Sequence, residues 1–235
     1  MTEKIAIFDL DGTLLDTLGD LAYAANETLR TFGLPVHPVE AYKQFIGRGR
    51  TNLIRRCSGL TDDRQIEELC RVNDRIYAEC YRERTCAYPG VQESLENLAI
   101  AGIPMAVLSN KNHDMTCRLV EECLPGIPFF AVYGKREGHP LKPDPASVYE
   151  ILMAADIAPE RCIYFGDSGV DMQTACYAGC YPMGVTWGFR DMKELRANGA
   201  KRLLHRGFDI FPAVFSFLKT FSLDFEVEFS EEEHH

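Results

Sequence analysis

Two aspartates stand one residue apart in FDLDGT, at Asp9 and Asp11, directly behind the apolar run IAI. Like charges that close repel and raise at least one pKa, and aspartate is a poor strand former. A chain keeps such a pair where a metal ion, a cation or a ligand offsets the repulsion. Alternate residues of an extended segment face the same way, so both carboxylates point into one site if extension persists to Asp11. Gly12 allows a sharp turn that offers backbone N–H groups to an anion, with Thr13 next in line. An isolated DxDG also reads simply as the start of a turn.

Three further polar clusters stand farther along the chain. Ser109-Asn110-Lys111 comes after PMAVL, and its hydroxyl and amide suit a phosphate oxygen or, equally, a helix N-cap. Lys142 in LKPDP is flanked by proline and offers a point charge to phosphate, or else is a solvated loop lysine. Gly166-Asp167-Ser168-Gly169-Val170-Asp171 follows CIYF. A cap explains Asp167 or Ser168 but not Asp171 as well, whereas Mg²⁺ takes a few carboxylate oxygens together with water and phosphate. Together the four clusters set carboxylates, a hydroxyl and a lysine at successive strand ends.

The elements that must position these groups are four short strands, Ile5–Leu10, Met105–Leu108, Cys162–Phe165 and Pro182–Val185. Helical patterns fall between them at Val91–Ala101, His113–Cys123 and Pro145–Ala155. This alternation predicts a doubly wound, Rossmann-like α/β parallel sheet with ligands beyond the carboxyl ends of its strands. From about Leu18 to Arg84 the rhythm breaks into helices alone, at Gly19–Thr31, Pro38–Phe45 and Asp62–Glu83, punctuated by GLPVHP and GRGR. The expected organisation is a discontinuous core at 1–16 and 85–220, an inserted small α-helical cap domain at 17–84, and a tail at 221–235. The tail alternates apolar and polar residues from Phe221 to Phe229, which suits an edge strand, a dimer contact or a frayed acidic end; the final His-His is given no function.

A net charge of −10 argues against nucleic acid or an anionic membrane as partner, but not against a small phosphorylated metabolite. No apolar run approaches the roughly 20 residues that span a bilayer. Nine cysteines without a CxxC pair read as reduced thiols in a cytoplasmic protein. Cys176 and Cys180 fall on one helix face at i, i+4, without histidine partners to make a metal site.

With DLDGTLLDT, LSNK, LKPDP and GDSGVDM in this order, the chain resembles the haloacid dehalogenase superfamily phosphatases, and within them the phosphoglycolate phosphatase branch. The resemblance runs to about Phe215 and includes the helical insertion. It implies a Mg²⁺-dependent phosphatase in which Asp9 attacks phosphorus and forms an aspartyl-phosphate, while Asp11 serves as acid and then base. It further implies a metal held by Asp9, the Asp11 backbone carbonyl and Asp167, with Asp171 in the outer shell. Ser109 and Lys142 would hold the transferring phosphoryl group, with Gly12, Thr13 and Asn110 adding hydrogen bonds. Substrate choice falls to the cap, where Arg48 and Arg50 in an extended loop pair with a substrate carboxylate or else solvate the surface; Lys111 and Arg190 are further candidates. A β-phosphoglucomutase-type phosphomutase, a pyrophosphatase or nucleotidase, and a non-catalytic binder are the alternatives. The cap is expected to hinge near Asp16–Leu18 and Arg84–Tyr88.

Overall fold

The computed structural model of the protein describes residues 4–217. Its centre is β1 (Ile5–Phe8), a β-branched and aromatic run with all four residues buried. On one side β1 pairs in parallel with β4 (Met105–Asn112), and on the other with β6 (Cys162–Gly166). β5 (Ala131–Lys135), β7 (Tyr181–Val185) and β8 (Arg202–Leu204) complete a six-stranded sheet of order β5-β4-β1-β6-β7-β8, every pairing parallel. A parallel sheet needs cover on both faces, so its central strands read as unbroken apolar runs.

Strand periodicity divides the core in two. Ala6 and Phe8 pack with Val91, Leu95 and Leu98 of α5 (Val91–Ile100), Leu119 of α6 (His113–Cys123), and Ile210 and Val214 of the helical residues 210–217. Ile5 and Ile7 face the other way, toward Val148 and Ile151 of α7 (Ala146–Ala155) and Ala175 of α8 (Gly169–Ala178). This is the doubly wound α/β architecture expected from the sequence.

Between β1 and α5 the chain builds α1 (Leu18–Thr31), α2 (Tyr42–Phe45), α3 (Arg50–Ser58) and α4 (Asp63–Cys80). Leu18, Ala22, Leu29, Tyr42, Ile54 and Leu69 form an apolar cluster of their own, which meets the sheet side through Phe189. The expected helix at Pro38–Phe45 is a 3-10 turn at Val39–Ala41 running into α2, and the expected Asp62–Glu83 helix is α4, capped by Asp62 accepting from the Gln65 N–H. α3 was not expected. Only Leu53, Ile54 and Cys57 of its nine residues are buried, so arginines mask its periodicity.

The segment entering this helical unit and the one leaving it lie side by side. β2 (Leu15–Asp16) pairs antiparallel with β3 (Cys86–Ala87), and Tyr88 N donates to Leu14 O. Next to this ribbon, the fully buried Asp20 of α1 accepts from the backbone N–H of Arg84 and of Thr85, from the Thr85 hydroxyl and from the Arg84 guanidinium, at 2.8–3.1 Å.

Two strand limits differ from the sequence reading by more than one residue. β1 stops at Phe8, two residues short of Leu10. β4 continues to Asn112 across a register shift after Leu108, so Ser109-Asn110-Lys111 lie within the strand rather than beyond it. β5 and β8 join the four expected strands. Cys176 and Cys180 do not share a helix face: α8 ends at Ala178, Gly179 takes φ 76°, and Cys180 turns into the core. All nine cysteines are free thiols. Among the described residues no helix is long and apolar enough to cross a membrane. The alternating stretch from Phe221 to Phe229 lies outside the described residues.

Candidate active site

Asp9 follows β1, Asp167 follows β6, and Lys142 lies in the segment between β5 and α7, so the carboxyl ends of the strands deliver these groups to one point. Lys142 Nζ is 2.8 Å from Asp9 Oδ1 and 2.7 Å from Asp171 Oδ1, with its side chain only 3% exposed. Burial alone would lower the Lys142 pKa, but Asp171 and Asp9 outweigh it and hold the ammonium well above its ordinary range. Burial, then the nearby Asp171 carboxylate, push Asp9 up to about 7 against the pull of Lys142. Burial, then Asp171 and Asp9, raise Asp167 well above the usual carboxylate range, although its Oδ2 accepts a 2.6 Å bond from Phe189 N.

One oxygen from each of Asp9, Asp167 and Asp171 lies within 4.8 Å of the others, and all three residues are buried. Three hard oxygen donors converging where, among the described residues, one lysine is paired with them make a fitting seat for a divalent cation. Asp171 is the most committed of the three. Its Oδ1 takes Lys142, and its Oδ2 takes the Ser168 N–H at 3.1 Å and hydroxyl at 2.6 Å, closing a capping box on α8.

Above this floor opens a cleft of about 620 Å³ between the sheet edge and the helical unit. Asp9, Asp11, Ser109, Asn110, Lys111 and Lys142 line one side; Arg48, Arg50, Asn73, Asp74 and Tyr77 line the other. Asp11 accepts from Thr17 Oγ1 at 2.8 Å and meets Lys111 Nζ at 3.0 Å through both carboxyl oxygens. Burial would lower the Lys111 pKa, yet Asp11 lifts it above its ordinary value.

Not every residue expected here reaches the cleft. Gly12 and Thr13 do not line it: Gly12 takes φ 87° and donates its N–H to Leu15 O, and a Cβ at that position would collide with the Asp167 carboxyl. Its glycine is thus required by close packing behind the metal-type cluster. Asn110 lines the cleft, but its amide clamps the backbone of Lys142 through Oδ1 and Nδ2 and also donates to Gly47 O at 3.1 Å. Arg50 opens α3 rather than lying in an extended loop, and it forms an ion pair with Asp74. Arg190 does not line the cleft. Its guanidinium, 10% exposed, donates to Lys43 O and to Ile46 O at 2.8 Å, bracing the loop that carries Gly47 to Arg50 against the core.

Asn73, Asp74 and Tyr77 were absent from the sequence reading. Asn73 and Tyr77 are four residues apart on α4 and both buried, but Tyr77 in an amphipathic helix reads as core until the facing Lys111 is known.

Residues 6–185 match the model of the haloacid dehalogenase-like hydrolase family. The chain belongs to that family. The phosphoglycolate phosphatase of Pseudomonas putida is 32% identical over 201 residues, covering 83% of this chain and 74% of that protein. The phosphoglycolate phosphatase of Chromobacterium violaceum is 32% identical over 202 residues, covering 83% and 90%. A crystal structure from Lactobacillus delbrueckii subsp. bulgaricus superposes with a TM-score of 0.85 at 29% identity, over 91% of this chain and 99% of that one. As a family member the protein is an enzyme, a hydrolase of the phosphatase type.

Proposed function

We propose that the protein is a Mg²⁺-dependent phosphatase that hydrolyses 2-phosphoglycolate in the cytoplasm through an aspartyl-phosphate. The observation that carries this reading is the buried Asp9–Lys142–Asp171 bridge, with Asp167 beside it, beneath a cleft rimmed by Asp11 and Lys111. The names of the relatives in Pseudomonas putida and Chromobacterium violaceum support the choice of substrate.

Asp9, Asp167 and the Asp11 backbone carbonyl would hold Mg²⁺, with Asp171 behind them because both its oxygens already have partners. When bound, the ion supplies positive charge against the phosphoryl oxygens. The chain's own groups do the rest. An Asp9 carboxylate oxygen attacks phosphorus as the ester P–O bond breaks, and the departing electron pair, on the alkoxide, takes a proton from Asp11. Water then attacks the phosphorus of the aspartyl-phosphate, giving its proton to Asp11; phosphate leaves and the Asp9 carboxylate is restored. Lys142 and Ser109 meet the phosphoryl oxygens, and Asn110 fixes the Lys142 backbone so that its ammonium stays in place. Because charge spreads over the transferring oxygens, this positioned positive charge accounts for most of the rate.

The unit at 17–84 acts as a cap that opens to admit substrate and closes to exclude water, turning at the β2–β3 ribbon. A panel of phosphorylated metabolites assayed for phosphate release with Mg²⁺ tests the proposal, with 2-phosphoglycolate expected to give the highest kcat/KM. A sugar 1-phosphate isomerised without free phosphate would overturn it in favour of a phosphomutase.

A further inference from the structure

Tyr77 is buried on α4, and its hydroxyl meets no acceptor among the described residues. Its ring faces Lys111, whose ammonium stands 4.9 Å from the ring centroid. Both residues line the cleft beside Asp11. A buried hydroxyl without a partner in the free protein is a donor waiting for an acceptor, since buried polar groups are normally satisfied.

The Lys111 side chain is 7% exposed, and among the described residues the only carboxylate bonded to it is Asp11. On the proposed function, which this inference rests on and extends, Asp11 turns to the leaving oxygen of the ester. It cannot serve that oxygen and keep Lys111 fully neutralised together. With a neutral leaving alcohol, a buried ammonium is then left uncompensated, which is costly. An anionic group on the leaving alcohol removes that cost. The anion must also sit close to the ester oxygen, because Lys111 Nζ lies only 3.0 Å from the Asp11 carboxyl.

We infer that Lys111 and Tyr77 together seat the carboxylate of the leaving group and select short phosphorylated hydroxy acids over esters of neutral alcohols. Lys111 supplies the charge, and the Tyr77 hydroxyl donates a second hydrogen bond. The arginines on the rim are less suited to this task, since Arg50 is paired with Asp74 and Arg48 is exposed.

The test is a ratio. For wild type, Lys111→Met, Lys111→Arg and Tyr77→Phe, kcat/KM is measured with 2-phosphoglycolate and with 2-hydroxyethyl phosphate. The second ester replaces the carboxylate by a neutral hydroxymethyl group and keeps an alkoxide leaving group, so both depend on Asp11 alike. Lys111→Met is expected to lower the carboxylate-to-neutral ratio about 100-fold and Tyr77→Phe about 5-fold, mainly through KM, with Lys111→Arg restoring part of the ratio. Tyr77→Phe deletes only a hydroxyl that meets no acceptor among the described residues, so it carries the test if Lys111→Met fails to fold. A ratio that stays within twofold of wild type in Tyr77→Phe and in each folded Lys111 variant overturns the inference, including when both substrates slow in parallel. The order in which wild type prefers 2-phosphoglycolate, 2-phospholactate and 3-phosphoglycerate bears instead on the proposed substrate. A preference for one of the latter two would reject 2-phosphoglycolate while the ratio still judges the seat.

Discussion

Lys142 bridges two carboxylates that belong to different motifs, 2.8 Å from Asp9 and 2.7 Å from Asp171. One buried cation thereby holds the residue after β1 and the first turn of α8 in a common frame, although 162 positions separate those aspartates in the chain. Burial, and after it the crowding of Asp9, Asp167 and Asp171 around this one lysine, keep the Asp9 and Asp167 pKa values raised.

Asp9→Asn keeps the shape of the side chain and removes the carboxylate proposed to attack phosphorus. Phosphate release should fall by at least about 10³-fold. Because the change also removes one of three crowded acids, the melting temperature without metal should not drop. Full activity in this variant would reject Asp9 as nucleophile.

Mg²⁺ should stabilise the folded protein by offsetting the same crowding. Linkage gives about 2.7 kcal/mol at a metal concentration a hundred times the dissociation constant. Thermal melts with EDTA and with added Mg²⁺ check this directly. An Asp167→Asn variant should show a smaller rise, and a melting temperature indifferent to Mg²⁺ in the parent would count against the metal seat.

Asp20→Ala should destabilise the protein by about 3 kcal/mol, lowering the melting temperature by roughly 10 °C. The cost arises because the Thr85 N–H and hydroxyl and the Arg84 N–H lose their acceptor at a buried site. Denaturant unfolding monitored by circular dichroism measures it.

Arg190→Met should raise KM about 10-fold with a smaller effect on kcat. The guanidinium braces Lys43 O and Ile46 O without lining the cleft, so its loss frees the loop carrying Gly47 to Arg50 rather than the reacting groups. Arg190→Lys should recover little, since an ammonium lacks the fork that reaches both carbonyls. Steady-state kinetics on the folded variants decide the matter.

Much of this arrangement was legible in the chain, for identifiable reasons. Buried parallel strands leave apolar runs, and IAIF, PMAVL and CIYF announce three of them, each followed by the polar residues that its end delivers. β5 was harder to see because Ala131, Val132 and Tyr133 are only half-buried in an edge strand, and β8 spans three residues. The SNK cluster was placed beyond its strand because the continuation past Leu108 depends on a register shift with β5, a non-local pairing. Side-chain roles were least legible where two segments meet. Tyr77 and Arg190 have no local motif; the first acquires meaning from Lys111 across the cleft, the second from the carbonyls of Lys43 and Ile46.

The antiparallel pairing of Leu15 with Ala87 and Asp16 with Cys86 has a consequence for inheritance. Because the helical unit begins and ends side by side at this ribbon, its length can change without altering how the six strands are threaded. Lineages of such a chain can therefore exchange or remodel the unit that lines the far side of the cleft while the aspartates, Lys142 and their strands are kept. Chemistry and the share of selectivity carried by α4 then evolve as separable traits, while Lys111 stays with the strands.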